Sequence, residues 1–381
     1  MSPRVALIGV LLCAGCRQTY VAGILQAGSG SAGSAGSTAT GEGSMGTGEG
    51  STATDGGSCS TTMCADDSTG ASECLPPSPI PDCDVDDDPL RALGVACYEG
   101  VSAVLAETFT SPDPDAWRAT REFGNAFWVS ADSEAVLAIT TGRLPVPGIA
   151  GELELEPSVG QPGVANDNPD GADPPPPISV TPGSNNGAGG SPFLGCDGVG
   201  DCSDTLKSAW ASGAADDLVW FAFDVQVPER VTGYSAQVVL MTAEFPERVE
   251  DPASDTFVWW VSSESYTGNL ATLGADPVTM TTLAPHVTFV GEHPALLRTG
   301  MDGVLLESCT LGKEVYDQCP VGATTDWLSL AGPAVPGETM SVVVAVFDQG
   351  DDQLDTTVLL DGWQWQCEGC MPGVDCGLQL P

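Results

Sequence analysis

The stretch that decides the fold is residues 340–365, MSVVVAVFDQGDDQLDTTVLLDGWQW. It contains two runs of β-branched, aliphatic and aromatic residues, 342–347 and 356–360, and such runs are typical of strands. Both runs are apolar without alternation, as expected of strands covered on both faces by a second sheet and a further layer. The stretch therefore predicts two adjacent strands of a β-sandwich, joined by an acidic loop.

The rest of the chain repeats this pattern of short apolar runs bounded by Pro, Gly, Asp and Asn. The runs are residues 127–129, 136–140, 218–227, 235–245, 256–262 and 286–290. They do not alternate with helical patterns, which excludes a parallel α/β sheet and favours antiparallel strands. We predict a mainly β fold, an antiparallel sandwich or jelly-roll-like domain with long loops, over residues 84–381.

The N-terminal part has a different composition. Residues 28–58 are almost wholly Gly, Ser, Thr and Ala. Such a segment cannot bury enough apolar surface to fold. We predict a disordered tether over residues 16–58, followed by a Cys-rich segment over residues 59–83.

The start of the chain resembles a bacterial lipoprotein signal over residues 1–15. Arg4 precedes the apolar run 5–12, and Cys13-Ala14-Gly15-Cys16 follows. The resemblance implies cleavage before Cys16 and acyl chains on that residue, which would anchor the protein to a lipid bilayer. The alternative is an ordinary secretory signal cut elsewhere. We expect a lipid-anchored protein of the cell envelope, exposed on the outer membrane, and no later run is long enough for a membrane-spanning helix.

The charge balance limits the classes of partner. The chain has 11 Lys and Arg against 52 Asp and Glu, a net charge of -41. This excess repels the nucleic-acid backbone and anionic bilayer surfaces, so we expect no nucleic-acid partner. It attracts divalent cations. Alternatively, the acidic residues serve only to keep a secreted protein soluble.

The 14 cysteines favour disulfides in an oxidising compartment. Setting aside Cys13 and Cys16 leaves four groups: Cys59, Cys64, Cys74, Cys83 and Cys97; Cys196 and Cys202; Cys309 and Cys319; Cys367, Cys370 and Cys376. If Cys196 bonds to Cys202 and Cys309 to Cys319, the first group of five and the last group of three each have an odd number of cysteines. At least one disulfide must then join these two groups, and we predict that it links Cys97 to a member of the last group. A zinc site at Cys367 and Cys370 is the alternative.

Carboxylates in the acidic loop are the best candidate ligands in the sequence. They are Asp348, Asp351, Asp352 and Asp355, with Glu244, Glu247 and Asp255 as weaker candidates from neighbouring strands. Calcium prefers six to eight oxygen ligands and tolerates irregular geometry, so this loop favours calcium as a cofactor. The alternative is a solvated loop with exposed charges.

The sequence indicates binding more strongly than catalysis. The two histidines, His286 and His293, fit structural roles, and no hydrolase or phosphate-loop motif stands in a suitable context. A pair of carboxylates across a cleft would suit a glycan hydrolase, which is the alternative function. Trp363 and Trp365 lie on one face of a strand, and Trp259 and Trp260 are adjacent; such aromatics form either core or a sugar-binding platform.

Several motifs resemble the choice-of-anchor L domain proteins, a bacterial family of surface proteins. They are residues 201–206, 242–247, 254–257, 266–269, 336–339, 348–351 and 355–361. Thr242, Phe245 and Ser254 differ from the usual family residues. The resemblance covers residues 84–366 and implies a surface-displayed β domain without an established reaction. We expect adhesion or binding of a surface, protein or glycan ligand.

Overall fold

The structure is a computed structural model of the 381-residue chain. It describes residues 74–83, 88–100, 106–124, 128–129, 135–144, 146–147, 153–154, 166–178, 206, 215–246, 248–251, 254–274, 276–291, 293–297, 299, 301, 305–306, 309–311, 314–316, 319–320, 322–349 and 354–380. All of them belong to a compact unit that spans Ser68–Pro381. The predicted signal, Cys16 and the tether lie outside the described residues. Within the described part, no helix is long and apolar enough to cross a membrane.

Strands dominate the secondary structure. They are β1 (Ala106–Thr110), β2 (Trp117–Thr120), β3 (Glu122–Phe123), β4 (Trp128–Val129), β5 (Val136–Thr140), β6 (Val146–Pro147), β7 (Leu153–Glu154), β8 (Ala215–Gln226), β9 (Gly233–Thr242), β10 (Thr256–Ser262), β11 (Thr267–Asn269), β12 (Thr272–Leu273), β13 (Asp276–Thr279), β14 (Phe289–Val290), β15 (Leu305–Leu306), β16 (Cys309–Leu311), β17 (Glu314–Tyr316), β18 (Cys319–Pro320), β19 (Ala323–Thr324), β20 (Leu328–Pro333), β21 (Thr339–Gln349), β22 (Thr356–Gln366) and β23 (Gly377–Gln379). The described helices are single turns: α1 (Pro89–Ala92), α2 (Met280–Leu283) and two 3₁₀ turns, Pro114–Ala116 and Ala284–His286.

The first sheet has β21 near its centre. Its strand order is β1-β8-β21-β10-β13-β12, with β11 paired to β10, and every pairing is antiparallel. Val342, Val344 and Val346 face the main core, whereas Val343 and Phe347 face a second layer of apolar residues outside the sheet. This arrangement explains why the run is apolar on both faces, and it confirms the predicted β-sandwich.

The second sheet has the order β14-β19-β9-β22-β5-β2. In addition, β20 pairs with β9, and β23 pairs with β20. Strand β22 is central because it pairs with both β9 and β5. The prediction that β21 and β22 are adjacent is therefore wrong: the two strands belong to different sheets, and the chain crosses the sandwich between them. Strand signals identify each segment as β but do not encode which sheet it joins.

Aromatic rings fill the space between the sheets. Trp363 is fully buried, its ring stacks on Tyr234 at a centroid distance of 4.2 Å, and it meets the edge of Phe223 at 5.9 Å. Trp365 is also buried, while Gln364 between them is exposed. Trp363 and Trp365 thus share one face, as predicted, and that face is the core. An exposed sugar-binding platform at this pair is excluded.

A bulge positions this aromatic pair. The register between β22 and β9 shifts between Asp361 and Gln364. Gly362 lies within the bulge at φ +61°, a backbone conformation that favours glycine. The extra residue bends β22 where Trp363 enters the core.

Residues 171–178 cover part of the outer face of the first sheet. Pro175 and Ile178 are buried, and the Ile178 amide donates to the Pro175 carbonyl at 2.9 Å. The cover is tied to β8 because the Ala172 amide donates to the Ala215 carbonyl at 2.9 Å. Pro176 and Pro177, at the tip of the turn, remain exposed.

Disulfides tie the two ends of the compact unit together. Cys74 bonds to Cys367 across 293 residues of sequence, so one bond joins the first and last cysteine groups as the odd counts require. The choice of Cys97 for this bond is wrong, because the turn after α1 brings Cys97 to Cys83. Cys370 bonds to Cys376. These bonds also remove the zinc alternative at Cys367 and Cys370. The structure does not describe Cys196 and Cys202, nor the side chains of Cys309 and Cys319.

Candidate functional site

Four of the predicted acidic ligands lie at one end of the sandwich. Glu244 follows β9, Asp255 precedes β10, Asp348 lies near the end of β21, and Asp355 precedes β22. The strand pairings Thr356–Thr242 and Thr256–Phe347 bring these strand ends to the same edge. All four side chains are buried, between 1% and 3% exposed, so the alternative of a solvated loop does not hold for these residues. Asp351, Asp352 and Glu247 lie outside the described residues.

Glu244 and Asp255 are in direct contact. Glu244 Oε2 accepts hydrogen bonds from the Asp255 amide at 3.0 Å and from Ser254 Oγ at 3.1 Å. Burial raises the pKa of the Glu244 carboxyl well above its ordinary value, and the charge of Asp255 raises it further. Arg248 opposes this shift only in part, since the net change in pKa is upward. Two acidic groups therefore share a buried site that disfavours two negative charges.

Threonines connect these carboxylates to both sheets. Thr141 Oγ1 donates to Asp255 Oδ2 at 3.1 Å and accepts from the Thr356 amide at 2.9 Å. Thr242 Oγ1 accepts from the Glu244 amide and from Thr356 Oγ1, each at 3.0 Å. The network thus links the segment after β5, the segment after β9 and the start of β22. Sequence reasoning missed Thr141 because nothing in its own neighbourhood marks it as a partner of Asp255.

Asp355 is held by a close backbone approach. Its carbonyl accepts from the Ala243 amide at 3.0 Å, and its side chain packs against Gly142. A Cβ atom at residue 142 would lie 2.0 Å from Asp355 Oδ2, so this position has room only for glycine unless Asp355 moves. The orientation of Asp355 thus depends on a residue that the sequence did not single out.

A cavity of about 10 Å³ lies beside this network. Its polar lining comes from five residues, and the remainder is apolar; the five are Thr242, Glu244, Asp255, Thr279 and Thr356. A volume of this order holds one water molecule or one ion, and it is far too small for a sugar ring. Within the part of the chain that the structure describes, no three His, Cys, Asp or Glu side chains form a group that could hold a metal ion.

The remaining candidates from the sequence have structural positions. Trp259 and Trp260 are fully buried, and the indole N–H of Trp259 donates to Tyr234 Oη at 3.1 Å. His286 lies in a 3₁₀ turn rather than at the head of a strand. His293 Nδ1 accepts from the Ala295 amide at 3.1 Å, and the ring stacks on Phe289. Burial lowers the pKa of His293.

Larger cavities lie elsewhere on the unit, and two of them have a carboxylate in their described lining. One, of about 780 Å³, lies between the disulfide-tied segment 76–83 and the end of β22. The other is an open groove of about 300 Å³ beside Pro176 and Pro177 on the outer face of the first sheet. Among the described residues that line them, each has a single carboxylate, Asp82 in the first and Asp224 in the second.

Comparison with known proteins gives little similarity. No family model and no curated protein sequence matches this chain significantly. Among solved structures, the chain is similar to the K1 cleaved adhesin domain of Lys-gingipain from Porphyromonas gingivalis W83, at 10% identity and a TM-score of 0.25. The match covers 69% of this chain and 90% of that domain. A likeness at this level carries no argument about function.

Proposed function

We propose that the protein is a lipid-anchored surface protein whose β-sandwich binds a ligand outside the cell, with calcium stabilising its acidic end. The observation that carries the proposal is the pair Glu244 and Asp255 beside a cavity of about 10 Å³. The motifs that resemble choice-of-anchor L proteins supply Glu244, Asp255 and Asp348. Membership of that family, with its surface display, is part of the proposal.

Charge compensation is the physical reason for calcium. Two adjacent buried carboxylates are stable when one binds a proton or when a cation lies between them. Calcium accepts carboxylate, hydroxyl, carbonyl and water oxygens together, so the hydroxyls of Thr242 and Thr356 complement the two acids. Asp351 and Asp352 follow β21 in sequence and are the further candidates for ligands. The cavity, at about 10 Å³, is too small for a substrate.

Without calcium, the proton should take the place of the cation. The folded protein holds a proton on Glu244 more tightly than the unfolded chain does, where the pKa of Glu is about 4.3. The stabilisation from this group is therefore complete below that value, and it is lost as the pH rises through the raised pKa of the folded state. Asp255 and Arg248 are the charged groups that act on Glu244. We expect Glu244→Gln to flatten the profile of unfolding free energy against pH in calcium-free buffer.

Urea unfolding between pH 4.5 and pH 8, without calcium, measures the pH dependence of the unfolding free energy for wild type and Glu244→Gln. The matched control is Glu264→Gln, because the Glu264 side chain is exposed and lies outside the buried pair. The control should reproduce the wild-type profile. Parallel profiles for wild type and Glu244→Gln would contradict the shared-proton account.

The proposed lipid anchor on Cys16 can be tested separately from the calcium site. Because acyl transfer requires the Cys16 thiol, Cys16→Ser should abolish incorporation of labelled palmitate and release the protein from the membrane fraction. Cys13→Ser is the matched control, since it removes a nearby thiol and leaves Cys16 intact. Protease treatment of intact cells should digest the wild-type domain. Palmitate labelling that persists in Cys16→Ser, or complete protection from protease, would count against a lipid-anchored surface protein.

The geometry favours binding over glycan hydrolysis. A glycosidase needs two carboxylates on either side of a bound sugar, separated by about 5–10 Å. Glu244 and Asp255 are buried beside a cavity that cannot admit a sugar. The cavities of about 780, 300 and 180 Å³ each have at most one carboxylate among their described lining residues. The hydrolase alternative therefore gains no support from the described residues that line these cavities.

A further inference from the structure

The groove on the outer face of the first sheet has a floor, a wall and a polar end. Ala222 on β8 forms the accessible floor, next to the fully buried Val343 on β21, and Pro176 and Pro177 stand beside it. Ala222 is half-buried, and because its side chain is small it leaves the space that the groove occupies. The result is an open groove of about 300 Å³, at the lower end of the range for small-ligand sites.

The wall has a fixed position. Pro175 and Ile178 on either side of the two exposed prolines are buried against the sheet. The turn is closed by the hydrogen bond from the Ile178 amide to the Pro175 carbonyl. The preceding segment is held to β8 because the Gly171 amide donates to Asp216 Oδ1 at 2.8 Å. A preformed wall lowers the entropic cost of binding.

The chemistry of the face changes along the strands. Side chains two residues apart on a strand share a face, so Trp220, Ala222 and Asp224 follow one another on β8. Trp220 is half-buried beyond the floor, whereas Asp224 lies at the opposite end and accepts a hydrogen bond from Ser341 Oγ on β21. Polar residues continue outward with Gln226, whose side chain donates to the Glu338 carbonyl at 3.0 Å. Apolar surfaces and hydrogen-bonding groups are therefore adjacent along one groove.

We infer that this groove binds a neutral saccharide unit. A pyranose ring has an apolar face that packs on apolar surfaces such as the two exposed proline rings, and hydroxyls that bond to carboxylate and hydroxyl side chains. Asp224 and Ser341 supply such groups, and the volume suits one or two sugar rings. The net charge of -41 disfavours sulfated or sialylated glycans. This inference rests on the proposed binding function and names the ligand class and the surface.

A single carboxylate also distinguishes this groove from a catalytic site. Among the described residues that line it, Asp224 alone is acidic, and glycoside hydrolysis needs two such groups. The site therefore retains a saccharide without cleaving it. Binding should be moderate for a single unit, and many copies on one cell surface would strengthen attachment through multivalency.

A printed array tests the inference directly. The probes are neutral glucan, galactan, mannan and chito-oligosaccharides beside sulfated and sialylated ones, with calcium present. The full-length chain with Cys16→Ser is used, so that acyl chains cannot bind the array. We expect binding to a neutral class. Ala222→Phe, which fills the groove, and Ser341→Ala, which removes a hydroxyl, should each lower the affinity about tenfold or more.

The control is Asp276→Asn, because Asp276 is an exposed carboxylate on β13, outside the groove. This variant should bind like the parent. Melting temperatures verify that each variant is folded, and Ser341→Ala keeps the test valid if Ala222→Phe unfolds. Three results would overturn the inference: no binding to any neutral glycan, binding only to anionic glycans, or binding that the groove variants leave unchanged. Because palmitate labelling and cell-surface proteolysis are measured separately, such a failure would not be confused with failure of the lipid anchor.

Discussion

Replacing Trp363 by Ala is expected to lower the free energy of unfolding by about 3–5 kcal/mol, among the largest effects of any single substitution in this protein. The side chain is fully buried between the sheets. Its ring stacks on Tyr234 at an interplanar angle of 7° and meets Trp365 edge-on at 5.4 Å. Truncation therefore removes a large apolar surface from the core and leaves a cavity that the surrounding rings cannot fill.

Gln364→Ala is the matched control for this substitution. Gln364 is the next residue of the same strand, and its side chain is exposed. Its replacement should change the free energy of unfolding by no more than about 0.5 kcal/mol. Urea unfolding under non-reducing conditions measures both variants. A loss below about 1 kcal/mol for Trp363→Ala would mean that this ring is not at the centre of the core.

Removing the Cys74–Cys367 bond should produce the second large effect. The paired substitution Cys74→Ser with Cys367→Ser opens a link between residues 293 apart in sequence. A disulfide restricts the unfolded chain more strongly as the closed loop becomes longer. We therefore expect the free energy of unfolding to fall by about 2–5 kcal/mol, with the segment around Pro79 becoming sensitive to protease.

The paired substitution Cys370→Ser with Cys376→Ser provides the comparison. This bond closes a loop with a sequence separation of only 6, so its removal should destabilise the protein less. Peptide mapping without reductant identifies the bonds in the parent protein, and urea unfolding compares the variants. Equal losses for the two pairs, or a peptide that links Cys97 to Cys367, would contradict the assigned pairing.

Local strand signals predicted the elements well. Residues 136–140 and 256–262 are strands with the predicted bounds, because their apolar side chains are flanked by turn residues. Sheet membership was not predictable in the same way. The sequence predicts that the acidic segment joins adjacent strands, but pairing of β21 with β10 and of β22 with β9 places the two strands in different sheets. Those pairings depend on distant residues.

In the candidate site, too, the residue types could be predicted from the sequence but their contacts could not. Glu244 and Asp255 were named because acidic residues at strand ends can meet, yet their contact follows from the order of strands in both sheets. Thr141 and Gly142 carried no signal of their own. Trp363 and Trp365 were correctly assigned to one face of a strand, but alternation cannot say whether that face is core or surface. Burial depends on the opposing sheet.

The most direct test of the proposed calcium site is the melting temperature of the full-length chain with Cys16→Ser, in excess calcium and in chelator at pH 7.5. Calcium at about a hundred times its dissociation constant adds about 2.7 kcal/mol to folded-state stability, so the transition should rise clearly. Glu244→Gln combined with Asp255→Asn should abolish the rise, and Glu264→Gln should preserve it. A transition that calcium leaves unchanged, or a rise that survives the double substitution, would contradict a calcium site at the acidic end.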